Sequence, residues 1–250
     1  MPGRLSRFVA LALMVWAPLL MGGEFTINPL RVTLDRAARA SEVTVRNDDA
    51  VPLRMQVEAM SWRQDAEGKD QYEASDDLIF FPRALEIPPG ESRIIRVGVK
   101  AAPATREDTY RLFIEELPPA AAATPEPAGT SLRVFLRVGV GVFVAPGQIV
   151  RKSEITRLDV RGGVVQWTVA NLGNVHFRTE RVELAGFARD GTQLFAQEFP
   201  ERYFLAGAAK TLRFDIPRDA CGRLATLEAS AVGENLNLRR KLDVDSTACQ

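Results

Sequence analysis

One histidine, two cysteines and a scatter of carboxylates are the side chains with which this chain could do chemistry. His176 lies in NLGNVHF, beside a predicted turn. Metal sites need several converging His, Cys or carboxylate ligands, and no such cluster is visible. A Ser-His-Asp triad would have to use His176, yet no GxSxG elbow or comparable nucleophile context occurs. Neither a GxxxxGK loop followed by Ser or Thr nor a GxGxxG loop is present, so phosphate has no cradle. The sequence therefore predicts no catalytic residue, no metal and no cofactor. His176 is read as a structural hydrogen-bonding residue.

Cys221 and Cys249 both fall in the last 30 residues, at a spacing far from CxxC, which argues against redox catalysis and a zinc knuckle. In an oxidising compartment they would close a loop of about 27 intervening residues, worth roughly 3–4 kcal/mol in the chain-entropy model. In a reducing one they would be two thiols. The N-terminus points to export. Arg4 and Arg7 precede an apolar run from Phe8 to Met21, 14 residues broken by Pro18. A membrane span needs about 20, so residues 1–23 are predicted to be a signal peptide. Gly22 and Gly23 form the cleavage region and Glu24 the mature start; the alternative is an uncleaved N-terminal anchor. No second long apolar stretch follows, so no membrane insertion of the mature chain is expected. Export favours the disulfide.

The elements that must position these residues are strands. Hydrophobic content of 46% and charged content of 26% are those of a soluble globular chain, and a net charge of zero gives no electrostatic case for nucleic acid. TINPLRVTLD, SEVTVRND and PLRMQVEAMSW alternate apolar and polar residues, with turn clusters at 47–52, 65–70 and 87–92. Short alternating strands at this spacing predict an all-β sandwich. AAAATPEPAG, residues 120–129, reads as a loop. A long strand, SLRVFLRVGVGVFVAP, follows and ends at Pro146. GQIVRKSE is the predicted connector, and a second β domain begins near Gly163. The expected domains are 24–146, carrying an apolar strand at 131–144, and 147–250.

Three segments, in this order, resemble the PapD-like periplasmic chaperones of the chaperone–usher pathway. They are EFTINPLRVTLDRAARASEVTVRND, FFPRALEIPPGESRIIRV and REDTYRLFIEELPP. WTVANLGNVHF and YFLAGAAKTLRF resemble strands of the family's C-terminal domain. The NPLRVTLD opening and the VGVFVAP ending are similar to the archaic or alternative branch. The resemblance implies two immunoglobulin-like β-sandwich domains set at an angle, boomerang-like. It also implies partners: pilus or fimbrial subunits, and an outer-membrane usher.

The family's subunits are sandwiches missing one strand, which leaves unpaired backbone groups and an exposed core. The chaperone supplies a strand from its own edge. Here Leu132, Val134 and Leu136, continued by Val138, carry the apolar residues at every second position that this role requires. The family also holds the subunit's terminal carboxylate with two basic residues in the interdomain cleft. Arg31 matches the first. At the second, a lysine in the family, this chain has Gly141, which leaves Arg137 as the substitute or Arg31 acting alone. Ala145 replaces a basic residue of some members, so an interdomain ion pair built there is expected to be absent. An exposed apolar strand also invites self-capping as a dimer. Two other classes stay in view: a secreted β-sandwich interaction module unconnected with fibre assembly, and a hydrolase or carbohydrate-binding protein. The second is disfavoured by the scarcity of tryptophan and tyrosine outside alternating strands.

Overall fold

Pro29 has no N–H to offer a ladder, and the opening segment breaks there. The single strand expected across TINPLRVTLD is two: β1 (Phe25–Asn28) and β2 (Arg31–Leu34), which join different sheets. The structure is a computed structural model that describes residues 24–100, 105–118, 134–200 and 202–245. The predicted signal peptide, the loop at 120–129, Leu132 and Cys249 lie outside the described residues.

Eight further strands complete the first sandwich. They are β3 (Ala40–Asn47), β4 (Leu53–Gln64), β5 (Asp70–Ala74), β6 (Leu78–Phe81), β7 (Ala84–Ile87), β8 (Ser92–Val99), β9 (Asp108–Glu116) and β10 (Arg137–Val144). One sheet has the order β1-β3-β8-β6; the other runs β2-β10-β9-β4, with β5 and β7 sharing the far edge of β4. Among the described strands every pairing is antiparallel except that of β2 with β10. Alternation works as the sequence predicts. Met55 and Val57 on β4, Leu112 and Ile114 on β9, and Val140, Val142 and Val144 on β10 all face one buried core. Truncating Leu112 in it would cost about 2–5 kcal/mol.

The second sandwich holds β11 (Ser153–Arg161), β12 (Val164–Asn171), β13 (Phe177–Ala188), β14 (Gln193–Phe199), β15 (Tyr203–Phe204), β16 (Ala209–Asp215), the one-turn helix α1 (Arg218–Cys221), β17 (Leu224–Gly233) and β18 (Leu236–Asp243). Its sheets are β11-β12-β16 and β14-β13-β17-β18, with β15 on β13. The connector is shorter than expected, because Ser153 and Glu154 already pair with Asn171 and Ala170. Trp167 is fully buried in this second core. Trp62 is just as buried but belongs to neither core: it packs with Phe143, Leu205 and Ala208 between the two sandwiches. No helix among the described residues is long and apolar enough to cross a membrane.

Candidate functional site

β10 lies on β9 along its whole length, from Arg137 opposite Glu115 to Val144 opposite Asp108. On its other side β2 covers only Gly141 to Val144. Residues 137–140 therefore form an open sheet edge among the described residues. The strand predicted from 131 starts later, at Arg137. The physical reason is loss of partners: β9 ends at Glu116, whose N–H reaches Leu136, and Leu117 turns away to bond Arg54. Val134, Phe135 and Leu136 lead into the edge as an exposed apolar run, 66%, 40% and 45% accessible. Val138 is half-buried and has the same parity as Val140, Val142 and Val144, so it faces the sandwich core. Continued as a strand, Val134 and Leu136 would extend that apolar face beyond the domain.

The opposite face of β10 looks into the space between the domains. Arg31, Gly141 and Arg111 are partners across β2, β10 and β9, and form one row. Gly139 and Gly141 let side chains lie close on β10: the Phe113 ring and Arg111 over Gly139, the Phe143 ring and Arg111 over Gly141. A Cβ at Gly141 would stand 2.9 Å from the Phe143 ring and 3.6 Å from Arg111 Nη1; one at Gly139 would stand 3.6 Å from Arg111 Cδ. The guanidinium rests over Trp62 at 3.8 Å, and Nη1 donates to the Gly139 carbonyl at 3.1 Å. Arg111 was not singled out from the sequence. The available signal was the pair of glycines inside a strand, which marks a close approach.

Arg31 lines a cleft of about 210 Å³ with Thr33, Ala145, Glu107, His176 and Glu234. Its Nη2 sits 3.6 Å from Oε2 of Glu234, on the turn between β17 and β18, and both side chains are largely exposed. Such a pair is worth about 0–1 kcal/mol. Arg137 does not join this cleft. It is ion-paired with Glu58 at 2.9 Å and Glu115 at 3.4 Å, and lies over the Phe113 ring at 4.1 Å. Gly141 is about 13 Å further along the strand. Arg137, the substitute expected for the missing lysine, is thus engaged by two carboxylates of its own sheet.

The two domains are joined near Ala145 by hydrogen bonds of Glu107 and His176. Glu107, buried, accepts from the backbone N–H of His176 at 2.8 Å and faces its ring Nδ1 at 2.8 Å. The imidazole stacks on Phe143 with centroids 3.6 Å apart. Asn174 donates to the carbonyls of Thr105 and Gln148 and accepts from Val150 N–H. Gln64 spans the same junction, donating to Tyr203 O and accepting from Leu205 N–H, both at 3.0 Å. His176 thus has the structural role read from the sequence. Beneath the row, burial pushes the Tyr110 phenol up to about 12 and keeps it neutral. Among the described residues no three His, Cys, Asp or Glu side chains gather to hold a metal. Cys221 packs, half-buried, against the second core.

Solved structures share this fold. One is the CsuC–CsuE chaperone–tip adhesion subunit pre-assembly complex from archaic chaperone-usher Csu pili of Acinetobacter baumannii. It covers 87% of this chain and 97% of its own, with a TM-score of 0.61 and 16% identity. The Salmonella enterica SafA pilin in complex with the SafB chaperone covers 88% and 97%, with a TM-score of 0.57 and 15% identity. The E. coli chaperone DraB covers 90% and 97%, with a TM-score of 0.54 and 14% identity. At these identities the likeness is one of fold. No curated protein matches the chain in sequence. The family described as pili and flagellar-assembly chaperone, PapD N-terminal domain, matches residues 24–150. That stretch is half of the chain and contains the open edge, Arg31, Arg111 and Gly141. The chain belongs to the PapD family of pili and flagellar-assembly chaperones.

Proposed function

We propose that this protein is a periplasmic chaperone that binds and caps pilus or fimbrial subunits by lending them the open edge of β10, then delivers them to an outer-membrane usher. No reaction is catalysed; the work is the loan of a strand. The observation that carries this reading is the edge at Arg137–Val140, uncovered by β2 and preceded by the exposed run Val134–Leu136. A subunit strand laid there would find main-chain partners for its own unpaired groups. Val134, Leu136 and the predicted Leu132 would enter the subunit's groove, each contributing roughly 1.5–3 kcal/mol before the costs of association. Two of the structures similar in fold hold a chaperone together with a pilus subunit. The apolar N-terminal run supports the periplasmic location.

The test is capture of a co-expressed fibre subunit in the periplasm by the wild-type chain and by Leu136→Asp. Leu136 is exposed and outside the strand, so folding should be unchanged within about 0.5 kcal/mol. Wild type should hold the subunit as a soluble one-to-one complex, and the variant should release it to aggregate. Equal protection by both chains would overturn strand donation. No capture by wild type would leave a secreted β-sandwich interaction module.

A further inference from the structure

We propose that Phe113, whose ring lies over Gly139 toward the open edge of β10, selects an aromatic side chain on the strand of a bound subunit. This rests on the chaperone function proposed above and names a contact that would choose among subunits.

Val138 and Val140 face the sandwich core, so Gly139 between them faces the other way, and its partner Phe113 on β9 shares that face. β2 reaches only as far as Gly141, so no described strand pairs with Gly139 on its open side. The missing Cβ lets the Phe113 ring lean across the strand: a Cβ at Gly139 would stand 3.2 Å from Cε1 and 3.5 Å from Cδ1. Two neighbours hold the ring there. The Tyr72 ring meets it at 5.3 Å with the planes 81° apart, and the Arg137 guanidinium lies over it at 4.1 Å. Arg137 is itself engaged by Glu58 and Glu115, so this part of the face calls for no further anion.

A strand that pairs with residues 137–140 lies about 4.8 Å beyond β10 and must set one side chain beside Gly139 on this outer face. Gly139 puts no side chain in the way, so that residue's first neighbour along the row is the edge of the Phe113 ring. The edge of an aromatic ring is positive and its face negative, so a second ring placed here meets Phe113 edge to face. An aliphatic side chain would gain burial alone. The contact lies on the face of the edge opposite to Val134 and Leu136, and is separate from the apolar residues proposed to enter the subunit's groove.

The test is a double-mutant cycle on the subunit that wild type captures, with its captured strand located by amide hydrogen exchange. Each residue of that strand is changed to Ala, and binding is measured to wild type, to Phe113→Ala and to Phe113→Leu. One outward-facing aromatic is expected to couple with Phe113. Either change alone should weaken binding about two- to tenfold, and both together scarcely more than one. Phe113→Leu, which keeps an apolar side chain without the ring, should lose the coupling as well. A general effect of the Phe113 changes on folding adds equally to every arm and cancels in the cycle. Absence of coupling at every position would overturn the proposal. So would coupling confined to groove-facing residues, or coupling that Phe113→Leu retains in full. If wild type captures no subunit at all, the chaperone reading fails first and takes this one with it.

Discussion

Asn47 and Asn171 occupy the same corner of the two sandwiches. Each is buried at the end of a strand, β3 or β12. Each Nδ2 donates to the carbonyl four residues on, Val51 or Val175, and to one across the fold, Ile87 or Phe204. Each Oδ1 accepts the N–H two residues on, from Asp49 or Gly173. The side chain satisfies main-chain groups that the ladder no longer reaches as the chain turns. Asn47→Ala and Asn171→Ala each strand two carbonyls, and each should cost about 2–4 kcal/mol. Urea denaturation followed by tryptophan fluorescence measures this. A loss below about 0.5 kcal/mol would mean water replaces the amide at no cost.

His176→Ala should destabilise the junction between the domains more than either core. It leaves the Glu107 carboxylate buried with only one backbone N–H. Leaving a buried carboxylate short of a hydrogen bond costs about 1–3 kcal/mol or more. Small-angle scattering should show a larger radius of gyration for the variant, because the turn carrying Asn174 docks through the same residues. An unchanged profile would assign the fixed geometry to Gln64 and Asn174 alone.

Lys210 gives a pH signature. It is buried beside Gly68 and 5.6 Å from the Phe204 ring, and burial lowers its pKa from the ordinary 10.5. A base whose folded pKa is lowered carries a penalty while it stays charged. That penalty is present at neutral pH and fades as pH rises through the folded pKa toward the unfolded one. Lys210→Met is therefore expected to raise stability at pH 7, and the gain should shrink in alkaline buffer. A gain independent of pH would point to packing rather than charge.

The pairing of Cys221 with Cys249 is proposed on compartment grounds. The mature chain from the periplasm should gain two hydrogens on reduction, and Cys221→Ser should lose roughly 3 kcal/mol of stability. Intact-mass measurement with and without reductant decides it; identical masses would leave two thiols.

Much of this was legible in the sequence because period-2 alternation is dictated by which face meets the core. β4, β9 and the buried half of β10 follow it closely. Alternation alone says nothing about where a strand changes sheet, so the break at Pro29 was missed although the missing N–H signalled it. Nor does it say where a strand runs out of neighbours, which set the start of β10 at Arg137. Arg31 was singled out by resemblance. The contacts of Arg111 with Trp62 and the Gly139 carbonyl were not legible, because they depend on which strands lie side by side. The repeated pattern N-x-x-x-V at Asn47–Val51 and Asn171–Val175 was visible in the letters and gives the same corner in both domains.

The open edge and the domain junction are two ends of one strand. Arg137 begins β10 at the uncovered end, while Phe143, about 20 Å along it, is clamped among Trp62, His176 and Leu205. Sheet partners stiffen the strand between them, and the chain passes from it through Pro146 into the linker. The edge proposed for subunit binding and the contacts that seat the second domain are thus borne by one continuous strand.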